Sequence, residues 1–372
     1  MNVTVIGVGK LGLGLALLLE KAGNNVLGVD INENYINELN NKSLKSKEPL
    51  YEELLTKAKN FRATSDFMKG IDFSDIIILM VQTPNSGGDK FYDHSIVSNI
   101  LFQINKNKVK NKHIIIGCTV MPTYIDKIGS LLLEDCENTT LSYNPEFIAQ
   151  GEIIKGLQYP DMILIGTHSP EVETKLRNIY DKIVMNEPKY CILKPLEAEI
   201  TKISINGYIT TKISFANMLS DLCDNVGVNK NNVLKAVGTD SRIGNNYFNP
   251  GYSFGGPCFP RDTRALALFI NQNGINNDLL VSTTKYNEFH SDFMVKQILK
   301  EEKEKYVIEN VCYKENSKIP IIEESPKLNI AKKLVNAGKC VTIKDEIQLI
   351  NEVKRNYGNI FEYDIQINNL LY

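Results

Sequence analysis

Apolar residues follow two alternating rhythms through the first half of the chain. Residues 2–8, NVTVIGV, are apolar and β-branched with little alternation, the pattern of a parallel strand buried on both faces. A glycine turn follows, then an apolar helix over 11–22. NVLGVD, ending at Asp30, reads as a second strand. Helical spacing returns over 33–41 and 51–59. DIIILMV (75–81) and HIIIGC (113–118) read as two more buried strands, with helical stretches after each. TLSYNPE (140–146) and DMILIGT (161–167) continue the strand series, and 170–182 reads as a helix. Strands alternating with helices predict a doubly wound α/β domain over residues 1–195.

The rhythm changes near Pro195. Residues 196–226 predict one long helix whose length without internal caps suits a connection between domains. Gly207 is a local weakness in it. Helices at 231–237, 261–273 and 278–301 fill out a helical domain, 196–302. A strand YVIENVCY, a helix 325–337 and a strand KCVTIKD predict a short α/β domain, 303–372. No repeat of solenoid period and no long low-complexity tract interrupts this order.

Composition narrows the class. Over 372 residues, 43% are hydrophobic and 23% charged, the balance of an ordinary globular protein. The net charge of −2, without basic clusters, gives no electrostatic case for nucleic acid or an anionic membrane as partner. The apolar N-terminus is broken by glycines and Lys10 and lacks a basic leader, so no signal peptide is expected. No run of about 18 apolar residues predicts a membrane span. Seven dispersed cysteines without a CxxC pair predict thiols in a reducing, cytoplasmic compartment. The four histidines are also dispersed, so no metal site is expected, and they read as surface or packing residues.

GVGKLG, residues 7–12, is G-x-G-x-x-G between a strand and a helix. Gly7 permits the tight turn, Gly9 lets backbone approach a pyrophosphate, and Gly12 allows close helix–strand packing. The helix N-terminus favours the negative charge. Asp30, 18 residues after Gly12, can accept hydrogen bonds from ribose hydroxyls and would repel a 2′-phosphate. The pattern points to NAD rather than NADP in a Rossmann-like domain.

A second stretch, FGGPCFPRD (254–262), puts Cys258 among glycines and prolines. Pro260 suits the first turn of a helix that begins just after the thiol. A thiol there, flanked by Arg261 and Arg264, is expected to hold more thiolate than usual. Gly255 and Gly256 let backbone approach a substrate or cofactor. The plainer reading of an isolated cysteine is a small buried hydrophobe. A hydride acceptor elsewhere in the chain favours the first reading: oxidation through a hemithioacetal and a thioester.

With GGPCFPRD, the chain resembles the UDP-glucose/GDP-mannose dehydrogenase family. The likeness runs from residue 1 to about 300 and takes in VQTP (81–84), CTVMPT (118–123), NPEFIAQG (144–151), EAEITKISINGYITTKISFANM (197–218) and DSRIGN (240–245). It implies NAD-dependent, four-electron oxidation of a nucleotide sugar's C6 alcohol to the carboxylate. The catalytic residues it implies are Cys258 as nucleophile, Lys202 and Asn206 as a polar pair, Asp262 sharing a water with that lysine, Glu146 as hydrolytic base and Thr119 positioning the water. Four residues apart, Lys202 and Asn206 share a helical face and can stabilise an oxyanion. By position alone Lys202 reads as a solvated surface lysine, and Glu146 as a helix-entry acid after Pro145. The cofactor contacts implied are Gly7, Gly9, Lys10, Leu11, Gly12, Asp30, Thr83, Pro84, Thr119 and Arg261. The substrate contacts implied add Phe147, Ile148, Tyr247, Phe254, Gly255, Gly256 and Lys314. Arg242 is implied to cross a homodimer interface built on the long helix.

The sequence departs from the family at several points. Gln150 stands where the family usually has Glu, and Tyr35 where a lysine often lies. Glu323 occupies the place of an arginine just before Ser325-Pro326, setting an anion where two phosphates would bind. Against the family, whose last strands and arginine-bearing loop lie beyond residue 372 of this sequence, a shortened last domain is expected. UDP-glucose is the expected substrate. UDP-N-acetylmannosamine and GDP-mannose are the alternatives; Pro257, where enzymes of N-acetylated sugars usually carry histidine, counts against the former. Two other readings are an NAD-binding homologue that has lost catalysis and a two-electron hydroxyacid dehydrogenase, which leaves Cys258 unexplained.

Overall fold

The computed structural model describes residues 1–148, 150–314 and 319–366. Ala149 of the NPEFIAQG stretch, and 315–318 and 367–372 of the predicted last domain, lie outside the described residues. The chain forms two compact units, Met1–Lys202 and Ile203–Tyr372.

The first unit is a strand–helix alternation. In chain order it comprises β1 (Asn2–Ile6), α1 (Lys10–Lys21), β2 (Asn25–Val29), α2 (Glu33–Asn40), α3 (Tyr51–Lys57), β3 (Phe61–Thr64), α4 (Phe67–Phe73) and β4 (Ile76–Leu79). Then come α5 (Ser95–Lys106), β5 (His113–Ile116), β6 (Thr140–Tyr143), α6 (Ile153–Gln158), β7 (Met162–Gly166), α7 (Pro170–Ile183) and β8 (Lys189–Leu193). A π-helical turn, Tyr124–Gly129, lies between β5 and β6. The eight strands form one sheet in the order β3-β2-β1-β4-β5-β6-β7-β8. All neighbours pair in parallel except β6 and β7.

Burial explains the apolar runs. Every residue of β4 is buried, and all but the first of β1 and β2. Each valine, leucine or isoleucine among them contributes roughly 1.5–3 kcal/mol when removed from water. α1 buries eight consecutive residues, Gly12–Leu19, as a helix apolar on all sides must. Gly14 fits because the Tyr51 hydroxyl occupies the space a Cβ would need. Strand order reverses between β1 and β4, and in such sheets ligands bind beyond the carboxyl ends at that switch point.

The long helix α8 (Pro195–Val226) is continuous through Gly207. The glycine is not merely a weakness: a Cβ there would stand 2.8 Å from Leu266 Cδ2, so its absence admits a neighbouring helix. The second unit continues with α9 (Lys230–Thr239), α10 (Phe259–Gln272), α11 (Asp278–Leu299), β9 (Lys305–Glu309), α12 (Pro326–Asn336), β10 (Cys340–Asp345), α13 (Ile347–Tyr357) and β11 (Glu362–Ile365). Its three strands form a parallel sheet, β11-β10-β9. β9 ends at Glu309, so the strand expected to reach Tyr313 is cut short. Among the described residues no helix is long and apolar enough to cross a membrane.

Candidate active site

In the first unit the predicted residues gather where strands end. Gly7, just beyond β1, has φ +88°, and a Cβ on it would meet the Met80 carbonyl oxygen at 2.8 Å. A Cβ on Gly12 would stand 1.9 Å from Gly7 O. These two glycines are fixed by the turn's own packing. Gly9 differs: nothing lies within 4 Å of its notional Cβ. It is the N-cap of α1, and no side chain among the described residues caps that terminus. Open space over amide groups at a helix N-terminus fits a dinucleotide's pyrophosphate. Leu11 packs against the core behind it.

Asp30 follows β2 and accepts from Asn32 N–H at 3.1 Å. Tyr35, in the place of a lysine, donates its hydroxyl to the Val8 carbonyl at 2.9 Å and so ties α2 to the glycine turn. Lys10 Nζ donates to Gln150 Oε1 at 3.1 Å. With glutamine at 150 this is a hydrogen bond to a neutral amide rather than an ion pair. Thr83, beyond β4, donates to the Thr119 carbonyl beyond β5 at 2.8 Å. Pro84 O accepts from Asp93 N at 2.8 Å, closing the loop that follows.

Glu146 stands three residues past β6, in irregular chain rather than at a helix entry, since α6 begins only at Ile153. The structure brings Lys202 to it: Lys202 Nζ donates to the Glu146 backbone oxygen at 2.5 Å and lies 4.4 Å from the centre of the Phe147 ring. Lys202 is buried, not a solvated surface lysine. Burial pushes the Glu146 carboxyl above its ordinary range; a hydrogen bond donated by the Tyr180 hydroxyl would oppose this, and the Lys202 charge opposes it as well. Ile148 packs on the core over Gly156 of α6.

Two residues here escaped the sequence reading. Tyr180 of α7 lies 2.8 Å from Glu146 Oε1 and 2.7 Å from Asn144 Oδ1. Glu199, one turn before Lys202 on α8, is fully buried and accepts from Thr123 N at 2.7 Å and Ile125 N at 2.8 Å. It caps the π-helical turn that follows the Thr119 loop and holds Thr123 at φ +81°, which a β-branched residue rarely adopts. Its three-residue spacing from Lys202 was the available signal.

In the second unit Cys258 is exposed and is the N-cap of α10, with Pro260 in the first turn. It is not a buried hydrophobe. Asp262, one turn on, is 1% exposed and accepts from Asn206 Nδ2 at 2.6 Å. Arg264 does not simply flank the thiol: it is paired with Glu324. Arg261 opens the same helix beside Asp262. Gly255 and Gly256 are required by the chain's own packing. A Cβ on Gly255 would meet Glu324 O at 2.1 Å, and one on Gly256, at φ +82°, would meet Tyr313 at 2.2 Å. The space a side chain would need at these glycines is taken by the protein's own later segment. Phe254 is held from both sides by the Asn287 side chain, at 2.7 and 2.9 Å.

The other predicted contacts are more peripheral. Arg242 is 87% exposed and bidentate to Asp240, at 3.0 and 2.7 Å. Tyr247 is exposed and edge-on to Phe259 at 6.0 Å. Lys314 and Glu323 are exposed. Of the histidines, His290 is buried between Asp221 at 2.8 Å and the Gly251 carbonyl at 2.9 Å, where it ties α8 and α11 to the loop before Cys258.

A mostly parallel sheet with a glycine turn at its switch point, an open helix N-terminus and an acid at the end of β2 defines an NAD-binding dehydrogenase domain. Comparison with known proteins gives the particular kind. Residues 1–184 match the UDP-glucose/GDP-mannose dehydrogenase family, NAD binding domain, and residues 196–289 match that family's central domain. A UDP-glucose 6-dehydrogenase of Rickettsia bellii is 30% identical over 365 residues, 95% of this chain and 83% of that protein. A GDP-mannose 6-dehydrogenase of Pseudomonas putida is 28% identical, over 93% of this chain and 81% of that one. A UDP-glucose dehydrogenase structure from Pyrobaculum islandicum shares the fold with a TM-score of 0.88, at 24% identity, covering 98% of this chain and 86% of that one. The chain belongs to the UDP-glucose/GDP-mannose dehydrogenase family and is an NAD-dependent nucleotide-sugar dehydrogenase.

Proposed function

We propose that the chain oxidises UDP-glucose to UDP-glucuronate, removing two hydrides from C6 through a thioester on Cys258. The observation that carries this is Cys258 itself: an exposed thiol at a helix N-cap, one turn from a buried aspartate bonded to Asn206. Exposure is what a nucleophile requires and a packing cysteine lacks. NAD, when bound on Gly9 and Asp30, supplies the hydride acceptor.

The chain's own residues do the rest. Lys202 and Asp262 assist removal of the alcohol proton, and Lys202 with Asn206 steadies the oxyanion. Cys258 adds to the aldehyde carbon, and the resulting hemithioacetal is oxidised to the thioester. Glu146 takes a proton from water positioned with Thr119, the hydroxide adds to the thioester carbon, and the acid leaves as the carbon–sulfur bond breaks. UDP-glucose is preferred because relatives carrying that name reach 30–32% identity, and because Pro257 replaces the histidine of enzymes acting on N-acetylated sugars. We read residues 196–302 as a helical dimerisation and catalytic domain and 303–372 as a nucleotide-sugar-binding domain.

We also propose a homodimer on α8. Tyr208, Phe215, Met218 and Leu222 form one stripe, 40–70% exposed, an apolar face that a second copy would cover. We place the protein in the cytoplasm, on its thiols: all seven cysteines are present as such among the described residues. The test of the chemistry is Cys258→Ala, which should release no UDP-glucuronate. Acid formed at the wild-type rate would overturn the thioester route.

A further inference from the structure

Three oxygens stand in a row beside β6: Asn144 Oδ1, the Tyr180 hydroxyl and Glu146 Oε1. The phenol is 2.7 Å from the first and 2.8 Å from the last. Both are full hydrogen-bond distances, and a phenol carries one proton. One of the two contacts must therefore draw its proton from the other side.

The Asn144 amide decides which. Its Nδ2 donates to the Leu164 carbonyl at 2.9 Å, in a site where Asn144 is 6% exposed and Leu164 fully buried. Turning the amide over would let Nδ2 donate to the phenol oxygen, but it would set two buried acceptors, Oδ1 and the Leu164 carbonyl, face to face at hydrogen-bond distance. Oδ1 thus faces Tyr180 as an acceptor, and the phenol proton goes to it. The phenol oxygen is left to accept from Glu146. An ionised carboxylate has no proton to give, and lone pairs would confront each other at 2.8 Å. The row closes only with a proton on Glu146.

We infer that Glu146 rests as the neutral acid, donating to Tyr180, and that Tyr180 and Asn144 are positioning residues that keep it so. The titratable groups facing Glu146 are Tyr180 and Lys202, and those facing Tyr180 are Glu146 and Tyr190. A phenol donating to the carboxylate would favour ionisation; with its proton committed to Asn144, Tyr180 acts the other way. The consequence reaches Lys202, bound to the backbone oxygen of the same residue. While Glu146 is neutral its carboxyl does not oppose the ammonium charge. For hydrolysis Glu146 first gives its proton to solvent. It then accepts one from water, whose oxygen bonds to the thioester carbon as the carbon–sulfur bond breaks and Cys258 leaves with the electron pair; nothing is oxidised in this step. This use rests on the proposed role of Glu146, but the protonation state does not.

Infrared difference spectra of the ligand-free full chain read that state directly, as a carboxylic C=O band absent from Glu146→Gln. In wild type the band should persist at neutral pH. In Tyr180→Phe, which removes the acceptor, it should titrate about one pH unit lower, a tenfold loss of proton affinity. The inference is overturned if the wild type lacks the band at neutral pH, or if Tyr180→Phe leaves its midpoint unchanged or raises it. The wild-type band stands as a test even should Tyr180→Phe not fold. Failure of the base reading shows separately, as acid released by Glu146→Gln at the wild-type rate.

Discussion

Replacing Glu199 by glutamine should change how the stability of the first unit depends on pH. Burial pushes the Glu199 carboxyl up from 4.5 to about 7, and nearby Asp126 adds to the rise; the N–H groups of Ile125 and Thr123 oppose it. The folded chain thus keeps a proton that the unfolded chain has lost. Stability contributed by the neutral acid is fully present below 4.5 and is lost as pH rises to about 7. The gap of 2.5 (7 − 4.5) corresponds to on the order of 3 kcal/mol at about 1.4 kcal/mol per pH unit. Glutamine stays neutral and escapes that loss. It sets an NH₂ against one of the two backbone donors, as the protonated acid sets an O–H, so this cost is a constant offset. The assay is the thermal midpoint of wild type and Glu199→Gln between pH 4.5 and 8. The difference should move in the variant's favour by roughly 6–12 °C across that range, at about 2–4 °C per kcal/mol for a unit of this size. A difference that stays constant, or moves toward the wild type, would refute the reasoning.

Gly255→Ala must displace the Glu324 carbonyl that lies 2.1 Å from the new methyl, which is backbone and cannot swing away. It should destabilise the chain by about 1–3 kcal/mol, seen as a lowered thermal midpoint. Asp30→Ala should raise KM for NAD and narrow the preference over NADP, measured as the ratio of kcat/KM for the two cofactors.

Features set by short-range patterns were legible in the sequence, and features set by distant contacts were not. The glycine turn, Asp30 and the buried strands could be read because strand, turn and helix lie within thirty residues. Cys258 could be read because Pro260 marks its helix start. β3, with Arg62 and Thr64, is short, polar and at the sheet's edge, and it gave no apolar run. β8 is only partly buried and was lost in the same way. Glu199 was invisible as a buried acid because its partners lie 74 and 76 residues earlier. Tyr180 looked like one apolar position of α7 for the same reason, with Glu146 34 residues away. Gly255 and Gly256 show a different limit. Glycine marks a close approach without naming what approaches, and the side-chain space here is taken by Glu324 and Tyr313.

The central claim is a four-electron oxidation through Cys258, and NADH counted against limiting UDP-glucose tests it most directly. The account predicts two NADH for each sugar consumed. A single NADH, with an aldehyde-level product, would contradict it, as would none from a chain that still binds NAD.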